Sequence, residues 1–168
     1  IGGRSFAQTS ASSAVAATAS ETVFDHGVFT IPASTIKAGT MVRVRFQGIA
    51  TGTDSTDTLT IKLLIGGSET NTTGTALITT AATDVANYDI FVGEFVLVAR
   101  AAPGASAACV GWGSYAIGTA GAATMRPAYI ASTNLATNGA LPVKVSAQWS
   151  VGLTANTCRL DNFTVEVI

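Results

Sequence analysis

The feature that most constrains the fold is a two-residue alternation of apolar and polar side chains, clearest in residues 141–151. Apolar side chains occupy every second position there: Val143, Val145, Ala147, Trp149 and Val151. Polar residues, including Lys144, Ser146 and Gln148, fill the positions between them. Successive side chains of a strand point to opposite faces of a sheet, so this pattern predicts a strand with one buried and one outward face.

The rest of the chain repeats the strand pattern and contains no convincing helical stripe. Strands are predicted at residues 28–31, 41–48, 58–65, 75–80, 89–100, 107–117, 141–151 and 158–168. Residues 125–132 form a weaker candidate inside a long loop. Turn-forming pairs, such as Gly66 with Gly67 and Pro103 with Gly104, separate the segments. We therefore predict an all-β fold, an antiparallel jelly roll or β-sandwich of about eight strands.

The first twenty residues differ from the rest of the chain. They are rich in Ala, Ser and Thr and carry almost no large apolar side chains. Such a segment buries too little surface to offset its own ordering entropy. We predict an extended low-complexity arm over residues 1–20, lying along a partner or another subunit where it is ordered, and a single domain over residues 21–168. A flexible leader is an equal alternative, and an Ala-rich helix is disfavoured by the Ser and β-branched content.

The small number of charged residues and their distribution limit the kinds of partner that we expect for this chain. Only 11% of residues are charged and the formal net charge is −1, against roughly 25% charged residues in ordinary globular chains. No basic run is present, so we expect no nucleic-acid partner. Apolar windows are broken well before the ~20 residues that a membrane-spanning helix requires, so we expect no membrane partner. A surface with so few charges is covered by hydroxyl groups or lies against other protein.

Residues suited to catalysis are scattered. His26 is the single histidine, and we predict it in a surface loop without the neighbours of a nucleophilic triad. The acids fall mostly in turns, and Glu94 is predicted at an exposed position of a half-buried strand. Cys109 and Cys158 fit no zinc or redox motif, and two buried thiols are favoured over a disulfide. We predict no enzyme activity, no catalytic residue, no cofactor and no metal site.

Several segments resemble the small jelly-roll proteins of bacteriophage virions. The resemblance rests on residues 28–44, with Ile31-Pro32-Ala33 before a strand, on 58–67, on 89–111 and on 162–167. It spans roughly residues 23–168 and is a pattern of strands and turns rather than a catalytic signature. The resemblance implies a head decoration (cement) protein, often trimeric, or a tail or fibre module, and it implies no catalytic residues. Unlike jelly-roll coat proteins that package nucleic acid, this chain has no basic arm.

The leading hypothesis is a virion structural protein that decorates a phage capsid as a homotrimer bound to the major capsid protein. Candidate partner-binding residues are Arg4, Phe6, Arg43, Arg45, Trp112, Arg126 and Tyr129. The alternative is a tail-fibre or receptor module that binds a glycan. Its stacking candidates are Trp112, Tyr115, Tyr129 and Trp149, of which Trp149 is inward by alternation. Trp112 lies opposite in phase to Tyr115, so only one of those two is predicted to be exposed.

Overall fold

A computed structural model describes residues 4–54, 56–119 and 121–168, and it shows two antiparallel sheets packed face to face. Within these residues the chain forms twelve strands and no helix. The strands are β1 Arg4–Ala7, β2 Val15–Ala16, β3 Thr22–Ile31, β4 Met41–Thr51, β5 Thr58–Ile65, β6 Thr75–Thr79, β7 Thr83–Asp84, β8 Asp89–Ala99, β9 Ala107–Gly118, β10 Arg126–Leu135, β11 Leu141–Trp149 and β12 Thr157–Val167. The predicted fold class, an antiparallel β-sandwich, is confirmed.

The strands divide into a large and a small sheet. The large sheet has the order β1-β12-β4-β8-β9-β10, with β2 also paired to β12. The small sheet has the order β3-β11-β5-β6, with β7 also paired to β5. The count exceeds the predicted eight because short strands form in segments without clear alternation. One further difference is β10, a full strand where the sequence suggests only a weak one.

The core lies between the two sheets and follows the alternation. Val143, Val145, Ala147 and Trp149 of β11 are fully buried, as predicted. Val151 is an exception, because β11 ends at Trp149 and Val151 is exposed in the following loop. The large sheet contributes four fully buried rings, from Phe46, Phe91, Phe95 and Phe163. Burial of such side chains contributes about 1.5–3 kcal/mol each.

One glycine makes room for the ring of Phe46. Gly93 on β8 is paired directly with Phe46 on β4. A Cβ atom at Gly93 would lie 2.3 Å from Cζ of Phe46. The ring therefore occupies the space above the glycine, and any larger residue at position 93 would displace it.

The N-terminal segment lies on the chain's own sheet. Strand β1 pairs antiparallel with β12, placing Phe6 opposite Val165, and β2 pairs with the start of β12. This differs from the expectation of an arm that lies along a partner. The reason is that Phe6 finds an aromatic site within the chain, where its ring stacks on Phe29 at 5.1 Å and meets the edge of Phe163 at 6.0 Å.

The two cysteines are free and buried in the structure, which agrees with the favoured interpretation. Desolvation raises the pKa of the Cys109 thiol. It also raises the pKa of the Cys158 thiol, to about 12. Both groups are therefore neutral thiols at pH 7 and behave as small apolar side chains. Within the described residues, no helix is long and apolar enough to cross a membrane.

Candidate functional site

The outer faces of the two sheets differ in their contact with solvent. We call the outer face of the large sheet the open face, and that of the small sheet the covered face. Residues 66–74, which connect β5 to β6, lie over the covered face. Side chains of the open face project toward solvent, including Trp112, Tyr129 and both arginines of β4. The open face is therefore the candidate binding surface.

The strand register aligns the open face into rows that run across the sheet. One row contains Glu166, Arg43, Val96, Trp112 and Tyr129, which are successive Cα partners on five neighbouring strands. Directly paired side chains on one face lie close enough to interact. Four of the predicted partner-binding residues, Arg43, Arg45, Trp112 and Tyr129, thus come together on one surface.

Arginines and glutamates form a charge ladder at the centre of this face. The Oε2 atom of Glu166 lies 3.3 Å from Nη1 of Arg43, and Nε of Arg43 lies 3.8 Å from Oε1 of Glu94. Oε2 of Glu94 lies 3.1 Å from Nε of Arg45. The four side chains are 35–53% exposed, so these pairs contribute little stability. The ladder is electrically neutral as a unit.

The partners of the two arginines were not predictable from the sequence. The acids that Arg43 and Arg45 contact, Glu94 and Glu166, belong to the same chain. Glu94 does occupy a partly exposed position on a half-buried strand, as predicted. The pairing itself depends on the β4–β8 register, which places Glu94 directly opposite Arg45.

Large apolar side chains are exposed beside the ladder. Trp112 is 53% exposed, Tyr129 is 75% exposed, and Met125, just before β10, is 54% exposed. Trp112 and Tyr129 are direct Cα partners of β9 and β10. Tyr115 and Trp149 are buried, so neither belongs to this surface. Of Trp112 and Tyr115, it is therefore Trp112 that is exposed.

A shallow cavity of about 260 Å³ lies between the ladder and Met125. Its polar lining comes from five side chains: Arg45, Gln47, Glu94, Ser114 and Asn162. Ser114 is the Cα partner of Glu94 in the β8–β9 ladder, and Trp112 lies two residues away on the same face of β9. Hydrogen-bonding groups and an exposed aromatic ring therefore occupy adjacent parts of the open face.

The remaining candidate residues lie away from this surface. Phe6 packs inward against Phe29 and Phe163. Arg4 occupies the first position of β1, opposite Val167 at the sheet edge. Arg126 is exposed but begins β10 opposite the buried Tyr115, out of phase with Tyr129.

Groups considered for chemistry are engaged in local contacts. His26 lies within β3 rather than in the predicted loop, because β3 extends back along β11, and its Nδ1 lies 2.8 Å from Oγ of Ser10. Asp57 is buried and accepts a hydrogen bond of 2.7 Å from Nδ2 of Asn156. Asp54 accepts hydrogen bonds from Thr56. Among the described residues, no group of three or more His, Cys, Asp or Glu side chains is arranged to hold a metal ion.

No protein-family model and no curated protein sequence matches the chain. Several solved structures are distantly similar to the chain. The lectin UEA-II, complexed with galactose, is 12% identical over 86% of this chain and 79% of its own, with a TM-score of 0.40. A structure of the infectious bursal disease virus Gx strain is 13% identical over 98% of this chain, with a TM-score of 0.32. This chain spans only 32% of that viral chain.

The third similarity is to the CBM2 module of an evolved Dit protein from Lactobacillus casei BL23 phage J-1. It is 7% identical over 83% of this chain and 67% of the module, with a TM-score of 0.28. These values are too low to carry a site or an activity from any of the three proteins to this chain. The class that the fold itself defines is a two-sheet antiparallel β-sandwich.

Proposed function

We propose that this chain is a non-catalytic structural protein of a bacteriophage virion, which decorates the capsid by docking its open face onto the shell. The observation that carries the proposal is the group of exposed apolar side chains, Trp112, Tyr129 and Met125, beside a neutral charge ladder. In this proposal the shell partner is the major capsid protein, the chain assembles as a homotrimer, and its location is the virion.

The composition of the open face suits a protein partner. Exposed aromatic side chains supply large apolar contact areas, and Trp and Tyr are enriched among the residues that dominate binding energy. Charges on the face are already paired with one another, so docking would bury few unpaired charges. The low charge content of the whole chain, 11%, agrees with a surface that contacts other protein.

Localisation and reattachment together test this function. Cryo-electron microscopy of virions from the phage that encodes the chain is expected to show it on the capsid surface, in groups of three. Purified protein is then added to particles assembled without it, and the bound amount is measured by cosedimentation. Trp112→Ala is expected to weaken attachment at least ~10-fold, which corresponds to ~1.4 kcal/mol.

A matched control comes from the loop between β11 and β12. Leu153 is 42% exposed and lies outside the open face, so Leu153→Ala is expected to attach like the unmodified protein. Density at the tail tip, or no particle-bound copies, would overturn the decoration proposal. Equal loss of attachment in both variants would show that the open face is not the docking surface.

A glycan-binding tail module is the second candidate. The specific observation in its favour is that Trp112 and Tyr129 lie next to the cavity lined by polar side chains. Aromatic faces stack on apolar faces of sugar rings, and nearby polar groups can fix the orientation of a ligand. A glycan array distinguishes the candidates: binding that Trp112→Ala and Gln47→Ala both abolish supports this candidate, and an array without hits removes it.

A further inference from the structure

We propose that strand β1 is exchanged between copies of this chain, so that Phe6 of one copy fills the site between Phe29 and Phe163 of the next. The occupant is thus a named segment of a second copy. The inference rests on the self-association in the proposed function and adds the element through which the copies are joined.

Phe6 closes the edge of the sandwich. Its ring stacks on Phe29 of β3 with centroids 5.1 Å apart and meets Phe163 of β12 at 6.0 Å. Phe29 belongs to the small sheet and Phe163 to the large one, so a single side chain of β1 bridges both layers. An aromatic site of this kind needs an aromatic occupant, but its contacts are the same whichever copy supplies the ring.

Strand β1 is attached at one side only. Among the residues that the structure describes, it is the last strand of the large sheet and pairs with β12 alone, over four residues. Phe6 is the only large apolar side chain between Arg4 and Ala14. The exchange therefore transfers one aromatic contact and a short ladder of backbone hydrogen bonds, all of which can be re-formed on an identical neighbour.

The segment after β1 is held by hydrogen bonds rather than by apolar burial. The N–H group of Gln8 donates to the carbonyl of Phe163, and that of Ser12 to the carbonyl of Leu160, both at 2.8 Å. The Ser12 hydroxyl accepts a bond of 2.9 Å from the N–H of Leu160. Because water can replace such bonds while the segment is detached, their net contribution is only about 0.5–1.5 kcal/mol each.

Val15 is a fixed point that defines where the exchanged segment ends. Val15 is buried, pairs with Cys158, and its carbonyl accepts a bond of 3.4 Å from Nε1 of Trp149. Ala17, two residues later, has a φ of 54°, and its left-handed backbone marks a sharp change of direction. Residues 4–14 precede this fixed point, and a fully extended segment of that length reaches at most roughly 36–40 Å from Val15.

Paired cysteines test the exchange. Ala7 and Thr164 are direct Cα partners in the β1–β12 ladder, so Ala7→Cys with Thr164→Cys places two thiols within disulfide reach. If β1 is exchanged, mild oxidation of the assembled protein gives covalent oligomers as the major product in non-reducing electrophoresis. If β1 stays on its own chain, the product is a cross-linked monomer, and the proposal is wrong.

The matched control pair is Gln47→Cys with Asn162→Cys. These positions are Cα partners in the β4–β12 ladder, which lies inside the sheet, and both are exposed. This pair is expected to give only cross-linked monomer. Each single variant is expected to give no covalent oligomer, and the native Cys109 and Cys158 are buried. Oligomers from a single variant would show random collision and would overturn the interpretation.

Sedimentation of the same samples distinguishes the proposed exchange of β1 from the proposed self-association. A trimer that yields only intrachain links contradicts the exchange but leaves self-association standing. A monomer that yields only intrachain links contradicts both. As a second measurement, Phe6→Ala is expected to shift the trimer toward monomer at equal protein concentration, whereas Leu153→Ala is not. An unchanged trimer in Phe6→Ala would also contradict the exchange.

Discussion

The outer face of the small sheet lies beneath residues 66–74, whereas the outer face of the large sheet meets solvent. Both faces come from strands whose outward positions carry polar and charged residues. On the covered face, Lys144 is completely buried, and its Nζ donates to the backbone carbonyls of Ser68 and Asn71. On the open face, Arg43 and Arg45 remain partly exposed and pair with glutamates. The presence of a charged residue on a strand therefore does not by itself indicate whether that residue is exposed.

The covered face shows what the burial of charge requires. Glu21, just before β3, lies 2.6 Å from Nζ of Lys62 and accepts a hydrogen bond of 2.6 Å from the Ser146 hydroxyl. Desolvation lowers the pKa of Lys144, and the nearby carboxylate of Glu21 partly opposes that effect. Every polar group in this cluster thus has a partner, as buried polar groups need. Among the described residues no segment covers Trp112 and Tyr129 of the open face, and both side chains are exposed.

The largest expected difference is between the losses of stability caused by removing one cation from each face. Lys144→Ala leaves the carbonyls of Ser68 and Asn71 without their donor and creates a void, so we expect a loss of about 3 kcal/mol in the free energy of unfolding. Arg45→Ala on the open face is expected to cost under ~0.5 kcal/mol. Urea unfolding of both variants measures the difference. Equal losses would mean that the two faces do not differ in the way that the structure indicates.

A smaller effect is expected from one carboxylate on each face. Glu21→Gln removes the charge that faces the partly buried Lys62, and we expect a loss of about 1–2 kcal/mol. Glu94→Gln is expected to cost under ~1 kcal/mol, because its partners Arg43 and Arg45 are 35% and 53% exposed. Repeating the urea unfolding in 1 M NaCl sharpens the comparison. Salt should reduce the Glu94 effect more than the Glu21 effect, and the opposite order would contradict the assignment of the faces.

The two tryptophans allow an optical comparison of surface and core. Trp112 is exposed on the open face, and Trp149 is buried in the core. Because the chain has two tryptophans, iodide should quench one emitting population and spare the other. Trp112→Phe should remove the quenched population while leaving the protected emission. Quenching that persists in this variant would show that Trp149 is accessible and that the core assignment is wrong.

The smallest effect concerns Asp25, which anchors the N-terminal segment to the small sheet. Hydrogen bonds from the Ser13 side chain and backbone, together with the nearby His26, hold the pKa of Asp25 below its ordinary 3.8, although desolvation opposes them. The folded state thus binds the proton more weakly than the unfolded state. The stabilisation is complete above pH 3.8 and is lost as the pH falls through the lower folded pKa. Titration by NMR should give a midpoint below 3.8, and a midpoint above it would contradict this anchor.

Local patterns predicted the core better than the surfaces. The alternation in β11 predicted the burial of Val143, Val145 and Trp149, because the two-residue repeat of a strand can be recognised from consecutive residues. The same pattern predicted Lys144 to face outward, yet it is buried. The cause is a neighbouring segment, which no local pattern describes.

The candidate site shows the same division. Trp112 could be assigned to one of two phases of β9 from the sequence, but its pairing with Tyr129 depends on the β9–β10 register. Strand β10 was only a weak prediction because most of its side chains are exposed and its pairing with β9 contains an irregularity between Ile130 and Thr133. Register is set by turns and by contacts between distant segments. The sequence therefore indicates which residues belong to the candidate site, but how they are arranged depends on the fold.

Hydroxyl-radical footprinting of the open face tests the docking claim most directly. Oxidation of Trp112, Tyr129 and Met125 is measured by mass spectrometry in the free protein and in intact virions. If the open face docks onto the shell, all three side chains are oxidised readily in the free protein and are strongly protected in the virion, while Leu153 reacts equally in both. Equal oxidation of the three side chains in both samples would contradict the claim that this face is the docking surface.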